Sequence, residues 1–198
     1  MARAEEFQEV LPGFHTWQAF CLQSKVDLTS HALSIGERLW WIDPIRLAPA
    51  ALEELENSAP LPSGILLTNG NHERDAGFYQ KRYQVPVYAD PLAAAEFALP
   101  TEPFPVTLEG IEVLSLPGAG PGEVGFWVEE KKLLILGDII INLSSLPFAP
   151  LPDKYATHPQ EMRRSLQKLT ALNPKLIAFA HGHPVRNGQE RLMTFQQS

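Results

Sequence analysis

Gly64-Ile65-Leu66-Leu67-Thr68-Asn69-Gly70-Asn71-His72-Glu73-Arg74-Asp75-Ala76-Gly77 changes character halfway along its length. Ile65-Leu66-Leu67 is apolar and suits a buried strand, whereas Asn69, Asn71, His72, Glu73, Arg74 and Asp75 crowd one short polar loop. Residues 78–83 then read as a helix. A strand that gives way to a polar loop and then a helix is a common place for a site in layered α/β architecture.

Working outward, the same rhythm returns. Upstream, residues 7–22 read as a strand or hairpin, and 27–35 alternate well enough for a strand. Residues 39–42 form another strand, which stops at Asp43-Pro44 because proline cannot donate to a ladder. A helix is expected over 49–57, with Pro49 near its start and Leu52 and Leu55 at helical spacing. Downstream come a short strand at 85–89, a short helix at 91–97 and two short strands within 105–116. The six-residue Gly/Pro loop at 117–122 has no long side chain. Residues 123–128 and 133–136 read as a hairpin closed by Gly137-Asp138, and 144–154 as a proline-bearing loop. The helix starting at His158-Pro159 puts Met162, Leu166 and Leu169 on one face. Residues 176–180 form a last buried strand before His181-Gly182-His183, and 186–198 form a closing turn or helix. One domain over 1–198 follows.

Composition narrows the function classes. The 198 residues carry 16 Lys+Arg against 23 Asp+Glu, a formal charge of -7, which gives no support to nucleic-acid or anionic-membrane partners. No apolar run of about 18 residues occurs, so no membrane span is expected, and the acidic N-terminus does not read as a signal peptide. One cysteine, Cys21, lies between Phe20 and Leu22 and reads as a core thiol in a reduced, cytoplasmic setting. Neither a Gly-x-Ser-x-Gly elbow nor a nucleotide-binding fingerprint is present.

Four polar spots therefore follow apolar strands: 69–75, the 118–122 loop, Asp138 and 181–183. In a layered sheet such ends converge on one edge, and Asp, Glu and His there suit Zn²⁺, Mn²⁺ or Fe²⁺. In order and spacing these motifs resemble the metallo-β-lactamase superfamily over nearly the whole chain. That family's Thr-His-x-His-x-Asp-His motif corresponds to Thr68-Asn69-Gly70-Asn71-His72-Glu73-Arg74. Its Pro-Gly-His-Thr-Pro-Gly loop corresponds to Pro117-Gly118-Ala119-Gly120-Pro121-Gly122. Its Gly-Asp is kept as Gly137-Asp138, and its Gly-His-Gly becomes Ala180-His181-Gly182. The resemblance implies an α+β fold: a four-layer αββα sandwich, two mixed sheets face to face with helices outside.

The departures shape the functional expectation. By resemblance, one of the family's two metal sites falls on Asn69, Asn71 and Ala119, where ligands are lost. The other falls on Glu73, Arg74, Asp138 and His181. At most one divalent ion is therefore expected, held by Glu73, Asp138 and His181, or none. Arg74 cannot ligate a cation. Turned inward it would pair with Glu73 and Asp138 in place of the ion; turned outward it would leave that site free. Two functions stay open. One is a pseudo-enzyme that binds a small molecule or partner. The other is a single-ion hydrolase of an ester, thioester, amide or phosphoester. In the second, Asp138 is ligand and base, and His72, Asn69 or Asn71 positions substrate. Asn69, Asn71, Arg74, Asp75, Ala119 and His183 are the expected pocket lining. The blander readings are His72 as a surface or outlying side chain, His183 as a loop residue and Asp75 as a helix N-terminal charge.

Overall fold

Side-chain alternation along the strands sets the layers in the computed structural model, which describes residues 3–197. Six strands form one sheet in the order Gln8–Leu11, Phe14–Cys21, Val26–Ile35, Arg38–Ile42, Gly64–Leu66, Val87–Tyr88. The first four are antiparallel and the last three run parallel. Five strands form the second sheet in the order Val185–Arg186, Leu176–Phe179, Leu133–Leu136, Val124–Val128, Glu112–Ser115, with one parallel pair between Leu133–Leu136 and Leu176–Phe179. Both sheets are mixed.

Adjacent residues take opposite faces, so runs such as Trp40-Trp41 and Leu133-Leu134-Ile135-Leu136 are apolar on both sides because both sides are buried. Trp40, Leu66, Phe126, Leu133, Ile135 and Ala178 meet between the sheets. Trp41, Ile65 and Leu67 face the other way, onto Leu52 and Leu55 of helix Pro49–Ser58 and Ala76 and Tyr79 of helix Ala76–Tyr83. On the far side, Leu134, Leu136, Ile177 and Phe179 pack on Met162, Leu166 and Leu169 of helix Pro159–Leu169. The result is the αββα order expected from sequence.

Residues 144–154 depart from the expectation of a loop. Leu146–Pro150 pairs antiparallel with Ile140–Leu143 as a separate two-stranded ribbon. Prolines are tolerated there because a two-stranded ribbon is all edge. The expected closing turn or helix is helix Gly188–Met193 followed by a 3₁₀ turn, Thr194–Gln197; residue 198 lies outside the described residues.

The two sheets are stitched together at one edge. Thr29 N–H donates to Ala180 O at 2.8 Å, and the Thr29 hydroxyl donates to Gly182 O at 3.0 Å. His31 Nε2 lies 3.1 Å from Phe179 O, with its ring stacked on Phe14. Gly182 has φ +102°, and a Cβ there would stand 1.9 Å from Asn142 O, so only glycine lets the chain pass. This edge carries the polar strand ends.

Candidate metal centre

Asp43 starts the site. It ends strand Arg38–Ile42 in a left-handed conformation, φ +46°, and is 1% exposed. Its Oδ1 accepts from Thr68 N–H at 2.9 Å and its Oδ2 from the Thr68 hydroxyl at 2.5 Å. Thr68 directly follows Leu67, so this one carboxylate fixes how the polar loop leaves its strand. The same Oδ2 lies 2.9 Å from His72 Nδ1.

Three lone-pair atoms then converge. His72 Nε2 is 3.3 Å from Asp138 Oδ1, and His181 Nε2 is 3.2 Å from the same oxygen. One ligand atom from each residue lies within 4.8 Å of the others. Each imidazole already has an acceptor at its other nitrogen: Asp43 Oδ2 for His72, and Asp27 O at 2.8 Å for His181. Those acceptors take the Nδ1–H and leave both Nε2 lone pairs facing a carboxylate. His72 Nε2 is buried without a hydrogen-bond partner, its geometry toward Asp138 being off line. Such a trio repels itself unless a proton or a cation sits among its atoms.

The charges answer this in the ion-free chain. Burial lowers the basicity of the His72 ring, but the Asp138 and Asp43 carboxylates outweigh it and raise the ring to about 9. Burial disfavours the Asp138 charge, yet the His72 cation and the two rings 3.3 and 3.2 Å from Oδ1 hold Asp138 well below the usual carboxylate range. Two imidazoles and one carboxylate also form a donor set suited to Zn²⁺, Mn²⁺ or Fe²⁺. The orientation of each ring by an acceptor at Nδ1 is the usual support for such ligands. The residues therefore fit one divalent ion.

The other oxygen of Asp138 meets different chemistry. Asn69 Nδ2 donates to Asp138 Oδ2 at 3.1 Å and to Glu123 Oε2 at 2.6 Å, while Asn69 Oδ1 accepts from Asn71 N–H. Glu123 is 2% exposed, and its Oε1 accepts from Ile139 N–H. Burial and the nearby Asp138 charge push Glu123 up to about 8. Sequence reading missed Glu123. Its signal is a lone acid between a Gly/Pro loop and the buried run Val124-Gly125-Phe126-Trp127-Val128.

The structure brings together Asp138 and His181 as expected, and replaces the third member. Glu73 is turned away: its Oε2 accepts from Ala98 N–H at 2.7 Å. His72 takes its place in the cluster, only 3% exposed rather than at the surface. Arg74 follows neither expected path. Its φ is +45°, and its guanidinium donates to three main-chain carbonyls, Thr29 O at 2.6 Å, Asp43 O at 3.0 Å and Ala180 O at 3.0 Å. It ties the two sheets together and does not pair directly with Glu73 or Asp138.

Three expected lining residues lie elsewhere. Asp75 is buried against Arg46, whose Nε donates to it at 3.0 Å, because the helix start turns it from the loop mouth. Ala119 packs with Met162 and Leu166. His183 is exposed, in a separate cleft with Phe7 and Gln18. Asn69 is fully buried beneath the site, and Asn71 lines the pocket. Cys21 is not in the core. It is half-buried at the end of strand Phe14–Cys21, on the pocket wall, with its thiol lowered mainly by hydrogen bonding to Ser24. That pocket, about 710 Å³, reaches His72, Asp138 and His181.

Comparison with known proteins agrees with the geometry. The family model described as metallo-beta-lactamase superfamily matches residues 41–181. The chain is similar to a probable metallo-hydrolase, YqjP, of Bacillus subtilis (strain 168), at 30% identity over 86 residues. That match covers 41% of this chain and only 27% of the relative's length. Among solved structures, TTHA1623 in a di-iron-bound form superposes with a TM-score of 0.70 at 24% identity, covering 83% of this chain and 92% of that one. TMB-1 gives a TM-score of 0.75 at 16% identity, over 98% and 96% of the two chains. A metallo-beta-lactamase from Pontibacter korlensis gives 0.73 at 18% identity, over 98% and 99%. At these identities the structural likeness speaks for the fold. Among the described residues, no helix is long and apolar enough to cross a membrane.

Proposed function

The chain belongs to the metallo-β-lactamase superfamily, and from that premise we propose that it is a single-ion, metal-dependent hydrolase whose ion is held by His72, Asp138 and His181. One observation carries the reading. The buried His72 Nε2 makes no hydrogen bond, lies 3.3 Å from the Asp138 Oδ1 that it shares with His181 Nε2, and has Asp43 at the ring's other nitrogen.

A bound divalent ion would supply a water acidified toward neutrality and would polarise a substrate carbonyl or phosphoryl oxygen. The chain's own residues do the rest. Asp43 fixes the His72 ring, and the Asp27 carbonyl fixes His181. Asn69 holds Asp138 Oδ2, so that Oδ1 stays turned to the two rings. Asn71, on the pocket wall, is placed to orient the substrate. Asn69, Asn71 and Ala119 offer no ligand set for a second ion.

The test is titration of chelator-treated protein with zinc, followed by assay on ester, thioester, amide and phosphoester substrates. One ion per chain with ion-dependent turnover is expected. Two stoichiometric ions would break the single-ion assignment, and ion binding without turnover of any class would break the hydrolase assignment. A second reading rests on the raised His72 ring: the imidazolium stands in for the ion, and the chain is a pseudo-enzyme that binds a small molecule. It predicts that zinc at micromolar concentration fails to bind at neutral pH.

A further inference from the structure

The pocket beside the metal centre divides sharply by chemistry. Its titratable side chains besides Cys21 and Tyr155 are Arg74, His72, Asp138 and His181, all among or next to the proposed ligands. Gln23, Ser24, Asn71 and Ser145 are its uncharged polar members, and the rest of the wall is apolar. Val26 and Leu28 come from strand Val26–Ile35, Ile141, Leu143 and Leu146 from the two-stranded ribbon, and Tyr155 stands 65% exposed. No lysine or glutamate lines it. Its single arginine is committed to three main-chain carbonyls, and its carboxylate is shared by two imidazoles. A carboxylate or phosphate carried past the proposed ligands would lose its hydration and meet at best neutral side chains, with no uncommitted cation to pair with.

We infer that the substrate is an acyl ester or thioester whose acyl group is uncharged and apolar, a medium-length alkyl or aryl chain seated against Val26, Leu28, Ile141, Leu143 and Leu146. The inference rests on the hydrolase reading for the reaction and on the wall alone for the acyl group. Water adds to the acyl carbon, the C–O or C–S bond breaks, the acyl product keeps the added oxygen, and the alcohol or thiol leaves with a proton. A volume of about 710 Å³ lies within the range of small-molecule pockets and exceeds the needs of an acetyl group.

Zinc-loaded protein is assayed with p-nitrophenyl acetate, p-nitrophenyl hexanoate and the p-nitrophenyl monoester of adipic acid. Each methylene leaving water is worth a factor of roughly 4, so hexanoate gains on the order of 100-fold in kcat/KM over acetate. Adipate falls back toward acetate. Separately, ion-free protein is titrated with 2-nonanone, a neutral ketone, and followed by methyl NMR. Shifts at Leu28, Leu143 and Leu146 are expected, and Leu146→Asp and Val26→Asp both abolish them. If hexanoate and acetate turn over equally, or adipate is preferred, the acyl inference is overturned while the hydrolase reading stands. If no ester reacts yet the ketone shifts those methyls, the hydrolase reading falls and the apolar site stands. If the ketone moves none of them, the apolar site is overturned.

Discussion

Asp138 turns its two oxygens toward regions that meet the same demand differently. On the Oδ1 side stand two imidazoles, each with a lone pair facing the carboxylate, so that the space asks for a proton or a cation. On the Oδ2 side stands an amide: Asn69 donates to Asp138 and to Glu123 at once, and Glu123 is pushed toward its neutral form. One half is open to an ion because its donors are lone pairs. The other half is closed because an N–H group already fills the position between its acids. The difference shows two ways to relieve crowded acids and lone pairs: an amide N–H set between two carboxylates, or a proton or cation set among imidazoles.

The largest break in that contrast comes from Asp138→Asn, which removes the charge both halves share. Zinc binding should weaken by more than ~100-fold, beyond the effect of losing an outer partner; calorimetry measures it, and unchanged affinity would remove Asp138 from the ligand set. Next is Arg74→Ala. Three charge-assisted bonds to carbonyls are lost at a partly exposed position, so stability should fall by about 2 kcal/mol in urea unfolding. Arg74→His should fall similarly without raising ion uptake, since the guanidinium ties carbonyls rather than replacing an ion.

A smaller effect concerns pH. His72 has a folded value of about 9 against 6.5 in the unfolded chain, so its contribution is complete below pH 6.5 and is lost as pH rises through 9. Glu123, at about 8 against 4.5, loses its contribution in the same direction. The ion-free protein should therefore melt at lower temperature at pH 9 than at pH 6.5, and saturating zinc should flatten the slope on the imidazole side. A melting temperature that rises with pH would contradict the charge assignment. The smallest expected effect is from Glu73→Gln, which should leave zinc affinity within a factor of about 2, because the carboxylate serves Ala98 N–H instead. A tenfold loss would restore Glu73 as a ligand.

The layers were legible because apolar runs flanked by polar turns report strands buried on both faces, and Asp138 and His181 could be found at the ends of such runs. His72 was hidden. Its inward turn depends on Asp43, 29 positions earlier, meeting Thr68 and the ring together, and no local spacing reports that meeting. Arg74 was read for its charge, while its left-handed backbone and three distant carbonyl partners decide its role. Cys21 was misread from its neighbours: Phe20 and Leu22 are themselves exposed, at 54% and 84%, so an apolar context did not mean a core position.

The three carbonyls around Arg74 also tie the complete ligand set to the assembled pair of sheets. Thr29 and Asp43 belong to one sheet's strands and their ends, Ala180 to the other, and the residue that joins them lies two positions from His72. A half-formed molecule with a single sheet has His72 without His181 and Arg74 without its third carbonyl. An ion would then find its full ligand set only in the completed sandwich. A divalent ion held as proposed would stabilise the native state in proportion to the logarithm of its concentration over the dissociation constant.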